Sequence, residues 1–137
     1  MIVVVGLEFE ARIAGGPGMR VICSGDGKSL LTALSQAITD DCYGLVSFGV
    51  AGGLAPELRP GDCVVGSAVV SDTARLETDR AWTEKLLQTI PGAVHGILAG
   101  VCAPIPDPHS KRALYLKTGA VADAVVRARG GLKDPKR

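Results

Sequence analysis

Two stretches of this chain combine residue types at spacings that chemistry can use. Glu8 and Glu10 follow the apolar run Ile2-Val3-Val4-Val5 and Gly6. In a parallel sheet, ligands gather beyond the carboxyl ends of the strands, so this is where a functional carboxylate would sit. A solvated surface pair fits the same two residues equally well. The second stretch is Gly49-Val50-Ala51-Gly52-Gly53-Leu54, set between the apolar segments Leu45 to Phe48 and Val64 to Val70. Gly49, Gly52 and Gly53 lack a Cβ, so this elbow can take positive φ and bring bare backbone N–H groups close to a ligand. A tight strand connection with no ligand would use glycine in the same way.

Other stretches only resemble chemistry. Gly27-Lys28-Ser29 looks like the end of a phosphate-binding loop, but that motif needs glycine five positions ahead of Gly27, where Ile22 stands. The segment Ser24 to Gly27 could hold an anion at a helix start, and a Ser24 or Asp26 N-cap explains it more simply. Cys23, Cys42, Cys63 and Cys102 are spread singly, and neither His95 nor His109 pairs with a cysteine at metal-ligand spacing. Buried free thiols in a reducing cytoplasm are expected, with no metal and no cofactor.

These residues need elements to position them. Ile2 to Val5, Met19 to Cys23, Leu45 to Phe48, Val64 to Val70 and Val94 to Ala103 read as strands. Helices are expected from about Gly27, with Leu30, Leu31, Leu34 and Ile38 on one face, from Arg80 to Ile90 with Trp82, Leu86 and Leu87 inward, and from Ser110 to Leu116. Strands alternating with helices predict an α/β sandwich with a largely parallel sheet. A chain of 137 residues suits one domain. The domain is expected to span 1–122, leaving 123–137, rich in glycine, charge and proline, as a frayed tail.

Composition excludes several classes. Apolar residues make up 47% and charged residues 21%, which fits a globular fold and not a disordered one. A net charge of +1 with dispersed Lys and Arg gives no electrostatic case for nucleic acid or an anionic membrane. Aromatics at 4% leave no stacking platform for single-stranded nucleic acid. No leader and no membrane span are indicated, so a cytoplasmic location is expected.

The elbow, the Leu54 to Pro60 turn and Gly61-Asp62 before the next strand together resemble the central segment of the purine nucleoside phosphorylase and methylthioadenosine nucleosidase superfamily. Within it the chain is most similar to the bacterial hopanoid-associated phosphorylases. That likeness runs through Val5-Gly6-Leu7, Glu10 to Ala14, Ala99-Gly100-Val101, Ala103-Pro104, Lys111 to Leu114 and Thr118-Gly119-Ala120. It implies a three-layer α/β/α sandwich, lacking its C-terminal third, that cleaves the N-glycosidic bond of a purine nucleoside. The implied substrate is an adenosylated hopanoid, cleaved with release of adenine by phosphate or water. By the same likeness Glu10 activates the nucleophile. Gly49, Val50, Ala51 and Gly52 line the ribose side, Gly6 also binds substrate, and Ala103 to Ile105 form the base loop. Phosphate is the implied second ligand if cleavage is phosphorolytic, and self-association into a homo-oligomer is expected.

Several family positions are filled differently here. Ser47 and Val50 stand where superfamily phosphorylases carry an arginine and a hydroxyl residue for phosphate. No Met-Glu pair follows Thr118-Gly119-Ala120, and no glutamate at all follows Glu84. An inactive fragment, or a small ligand-binding module that keeps the elbow, is the alternative expectation, and this form is expected to lack enzymatic turnover. If turnover does occur, Asp107 and Asp123 are the residues where an acid is to be sought.

Overall fold

The computed structural model describes residues 1–23 and 27–125, which fall into two compact units, 1–50 and 51–125. The proposed N-caps Ser24 and Asp26, and 126–137 of the expected tail, lie outside the described residues.

The first unit holds β1 (Ile2–Val5), α1 (Glu8–Ala14), β2 (Arg20–Cys23), α2 (Gly27–Ala37) and β3 (Leu45–Ser47). Its sheet runs β2-β1-β3, all parallel, with Val4 opposite Ile22 on one side and Ser47 on the other. The run of β-branched residues makes β1 the central strand, with Ile2, Val3 and Val5 buried. Leu30, Ala33 and Leu34 of α2 pack on Ile2, Ile22 and Ala37. Ile38, expected on that face, lies beyond the end of the helix and is 55% exposed.

The second unit holds β4 (Gly52–Gly53), β5 (Val64–Val70), β6 (Arg75–Glu77), α3 (Arg80–Thr89), β7 (Val94–Val101), α4 (Pro108–Thr118) and β8 (Ala122–Val125). The sheet order is β4-β8-β7-β5-β6: β8, β7 and β5 are parallel in the middle, and β4 and β6 are antiparallel at the edges. Its core gathers Leu54, Ala99 and Ala120 with Val70, Ile97, Val101, Leu114 and Tyr115. Small residues are required where strand meets strand. A Cβ on Gly96 would sit 2.6 Å from a methyl of Val121. Helix α3 is capped by Asp79, which accepts from Trp82 N–H at 2.8 Å. Its inward residues are Trp82, Thr83 and Leu87, whereas Leu86 is exposed. Helix α4 begins with Pro108 after the cap Asp107 and ends at Gly119 in the left-handed region, φ 68°.

The fold class is the expected one, α/β with parallel and mixed sheets. Asp123, Ala124 and Val125, just past the expected boundary at 122, continue β8, where Ala99 to Val101 of β7 pair with them in parallel. The cysteines are corrected. Among the described residues none forms a disulfide, but Cys23, Cys63 and Cys102 are exposed and Cys42 is half-buried.

Candidate functional site

Glu10 sits at the third position of α1 with its side chain turned back toward the end of β1. The N-cap of that helix is Leu7, whose side chain has no oxygen, so the free N–H groups of the first turn need an acceptor from elsewhere. Glu10 supplies it. Its Oε2 accepts from the N–H of Gly6 at 3.0 Å and of Leu7 at 2.9 Å, as the glutamate of a capping box does. Its Oε1 accepts from Val50 N–H at 2.8 Å. The residue is only 4% exposed. Gly49 has to be glycine here, since a Cβ would meet Glu10 Oε1 at 2.8 Å. One carboxylate therefore joins Gly6, Gly49 and Val50 of the expected site. An ionised carboxylate has about four acceptor positions. Three are taken by backbone, and one is left for a water.

Ala51 is exposed, and Gly52 and Gly53 of the elbow form β4, paired with Asp123 and Ala122 of β8. Gly52 does not have positive φ. Glycine is demanded by crowding, because the place of its Cβ is already filled by Asp123 Oδ1, and Lys111 Nζ lies 3.4 Å from the same point. Asp123 is 5% exposed, and its Oδ1 has no hydrogen-bond partner. Burial raises its carboxyl above the ordinary range, against the pull of the Lys111 charge and of its own backbone N–H. Lys111 is not among the site residues expected from sequence, and Asp123 is expected only as a place to seek an acid if turnover occurs. The available signal was one acid in the apolar run Ala120 to Val126. Asp107 is different. It caps α4, accepting from Ser110 N–H at 2.8 Å, and that bond, together with the Ser110 hydroxyl, holds its carboxyl below the ordinary range.

Ile105 lines a cleft of about 510 Å³ at the carboxyl ends of β5 and β7, with a floor of Val70, Ala99 and Val101 and Leu114 of α4 above. That volume lies within the roughly 300–1,000 Å³ usual for ligand pockets. The polar groups at its rim already have partners. Thr118 Oγ1 donates to Leu114 O at 2.7 Å, Ser71 Oγ accepts from Ala74 N–H at 3.1 Å, and Lys117 pairs with Asp72 at 3.4 Å. Ala103 is exposed and does not line this cleft. No group of three or more His, Cys, Asp or Glu among the described residues is placed to hold a metal ion. None of their helices is long and apolar enough to cross a membrane.

A sequence profile of the phosphorylase superfamily matches residues 4–125. The chain belongs to that superfamily. Solved structures agree on the fold. Futalosine hydrolase of Helicobacter pylori superposes with a TM-score of 0.73 at 17% identity, covering 93% of this chain and 75% of that one. The 5′-methylthioadenosine/S-adenosyl homocysteine nucleosidase of the same organism gives 0.72 at 18% identity, with 90% and 73% covered. S-adenosylhomocysteine nucleosidase of Streptococcus pyogenes gives 0.72 at 13%, with 90% and 72% covered. No curated sequence is significantly similar to the chain. In this superfamily member, the two positions implied for phosphate are Ser47, which ends β3, and Val50, whose N–H is already given to Glu10.

Proposed function

We propose that the chain cleaves the N-glycosidic bond of a purine nucleoside, with water as the nucleophile. The observation that carries this reading is the closure of Glu10 on the elbow at Val50 N–H. It puts a carboxylate with one open acceptor position at the glycines implied for the ribose side. A base there can take the proton of a water whose oxygen bonds to the anomeric carbon as the C–N bond breaks, with oxocarbenium character on the sugar and the departing purine taking its proton from solvent. Gly6, Gly49 and Val50 beside that carboxylate are assigned to the sugar.

The same contact argues against phosphate. Two like unit charges about 4 Å apart repel by about 4 kcal/mol at an effective dielectric near 20. A phosphate at this elbow would face Glu10 with no arginine at position 47 to offset that. The names of the structural relatives support small adenosyl thioethers as substrates. The sequence likeness to hopanoid-associated phosphorylases supports an adenosylated hopanoid.

A second reading, nucleoside binding without turnover, is favoured by one fact: three backbone N–H groups already occupy Glu10. Adenine release from 5′-methylthioadenosine, S-adenosylhomocysteine and adenosine, measured with and without phosphate, separates the two. The expected result is release that phosphate does not accelerate and that Glu10→Gln reduces about 10²-fold or more. Binding of these nucleosides by calorimetry without any release supports the second reading. Neither binding nor release overturns both.

A further inference from the structure

Asp123 is a buried acid that the proposed reaction does not use. It stands where the second half of the elbow joins its sheet. That junction is short: Gly52 pairs with Asp123 and Gly53 with Ala122, followed by Leu54 N–H and Ala55 N–H, both given to Val121 O at 2.9 and 3.0 Å. On its other side β8 is held more firmly, over four residue pairs with β7 from Leu98–Ala122 to Val101–Val125. The carboxyl is pressed against Gly52 with Oδ1 unpartnered. Among the described residues it makes no ion pair, although Lys111 Nζ stands on the same glycine.

We propose that Asp123 is a protonation-dependent latch on the elbow: while its carboxyl is neutral, β4 stays paired with β8, and when it ionises, the Gly52–Gly53 strand comes away. The inference does not depend on the activity proposed above. A neutral carboxyl with an unmet acceptor is tolerable in this position. A carboxylate shut away from water without a contacting partner is far more costly. Among the described residues, the charged groups that could answer it are few. From α4, which also carries His109, Arg112 and Lys117, Lys111 is the residue whose charge acts on it. Strand β4 brings only glycine, and β7 opposite it presents Leu98, Ala99 and Gly100. The direction with least resistance is outward through β4, an edge strand of two residues whose opening hydrates the carboxylate.

Linkage fixes the form of the effect. If the closed state holds its proton more tightly than the open one, the opening constant rises about tenfold per pH unit above the ordinary carboxyl value. It levels off above the raised value. The test is amide hydrogen exchange on the full 137-residue chain, corrected for intrinsic chemistry, across a pH series. Protection at residues 52–55 should fall steeply with pH in the wild type and stay flat in Asp123→Asn, which mimics the neutral acid. Amides of β5 and β7 should not follow. Equal pH dependence in both proteins overturns the proposal, and so does parallel loss in β5 and β7, which would be global unfolding. If Asp123→Asn fails to fold, carboxyl carbon resonances of labelled wild-type protein decide. Titration of Asp123 at the ordinary aspartate value overturns the latch, and a raised midpoint shared with the exchange of residues 52–55 supports it.

Discussion

Glu10 Oε1 accepts a hydrogen bond from Val50 N–H at 2.8 Å, a contact between residues forty positions apart that fastens the start of the elbow to the end of β1. With the two bonds from Gly6 and Leu7, the carboxylate satisfies three backbone donors in a part-buried setting. Glu10→Ala leaves all three without that partner. At roughly 1–3 kcal/mol for each unsatisfied buried group, with water regaining some of them, a loss of about 3 kcal/mol is expected. Urea unfolding measures it. A change below about 0.5 kcal/mol, the size usual for neutral surface substitutions, would show that the anchor contributes nothing.

A second prediction concerns Gly52. Its φ is ordinary, so the penalty for a side chain comes from Asp123 and not from the backbone. Gly52→Ala should destabilise by about 1–3 kcal/mol, the range for overpacking. In an Asp123→Ala background most of that penalty should vanish, because the atom in the way has gone. A double-mutant cycle by thermal or urea unfolding gives the coupling directly. Additive effects would place the clash elsewhere.

The two aspartates make opposite pH signatures. Asp107 is held below its ordinary value of 3.8 by the Ser110 N–H and hydroxyl, so its native form binds fewer protons than its unfolded form. Its contribution is present above 3.8 and disappears as pH falls through the lowered value. Asp123 is raised above 3.8 by burial, so its native form binds more protons, and its contribution is full below 3.8 and lost as pH rises through the raised value. Unfolding free energies over a pH series should therefore flatten on the acid side in Asp107→Asn and above 3.8 in Asp123→Asn. Matching slopes in wild type and either variant would contradict the assignment for that residue.

Sequence made the fold legible wherever one physical signal dominated. Ile2–Val5 is a continuous apolar run and Val64–Val70 is one interrupted only by Gly66-Ser67, and both strands fall where the pattern puts them. Helix α1 leaves little trace in the sequence because it is seven residues long and its N-cap is the apolar Leu7. It is held by its own Glu10, which reaches back to Gly6 and Leu7 and across to Val50 of the elbow. Strand β6, Arg75–Glu77, is too short and too charged to carry a period, and β8 hides in alanine and one acid. Both are set by partners, Val70 to Ala68 in one case and Leu98 to Val101 in the other. The glycines of the elbow could be read from sequence, but what crowds each one could not. Glu10 at Gly49 and Asp123 at Gly52 are contacts across long separations, and a local pattern does not encode them.

The ligand preference can be tested without assuming turnover. Val50 N–H is spent on a carboxylate, and Ser47 offers no guanidinium, so the first half of the elbow cannot give a dianion the charge-assisted donors it requires. A purine base needs none of these. It can bury its faces against an apolar floor such as Val70, Ala99, Val101 and Ile105, and the cleft there is large enough for one. Titration calorimetry of the 137-residue chain should therefore show adenine or adenosine binding, unaltered by added phosphate, and no heat from phosphate alone. Ile105→Asp, which puts a charge at the edge of that floor, should weaken adenine binding by about tenfold or more, since 1.4 kcal/mol suffices for a factor of ten. Tight phosphate binding with no response to adenine would reverse the assignment. It would move the anion contacts to cations such as Arg12 or Lys28, both on helices of the first unit.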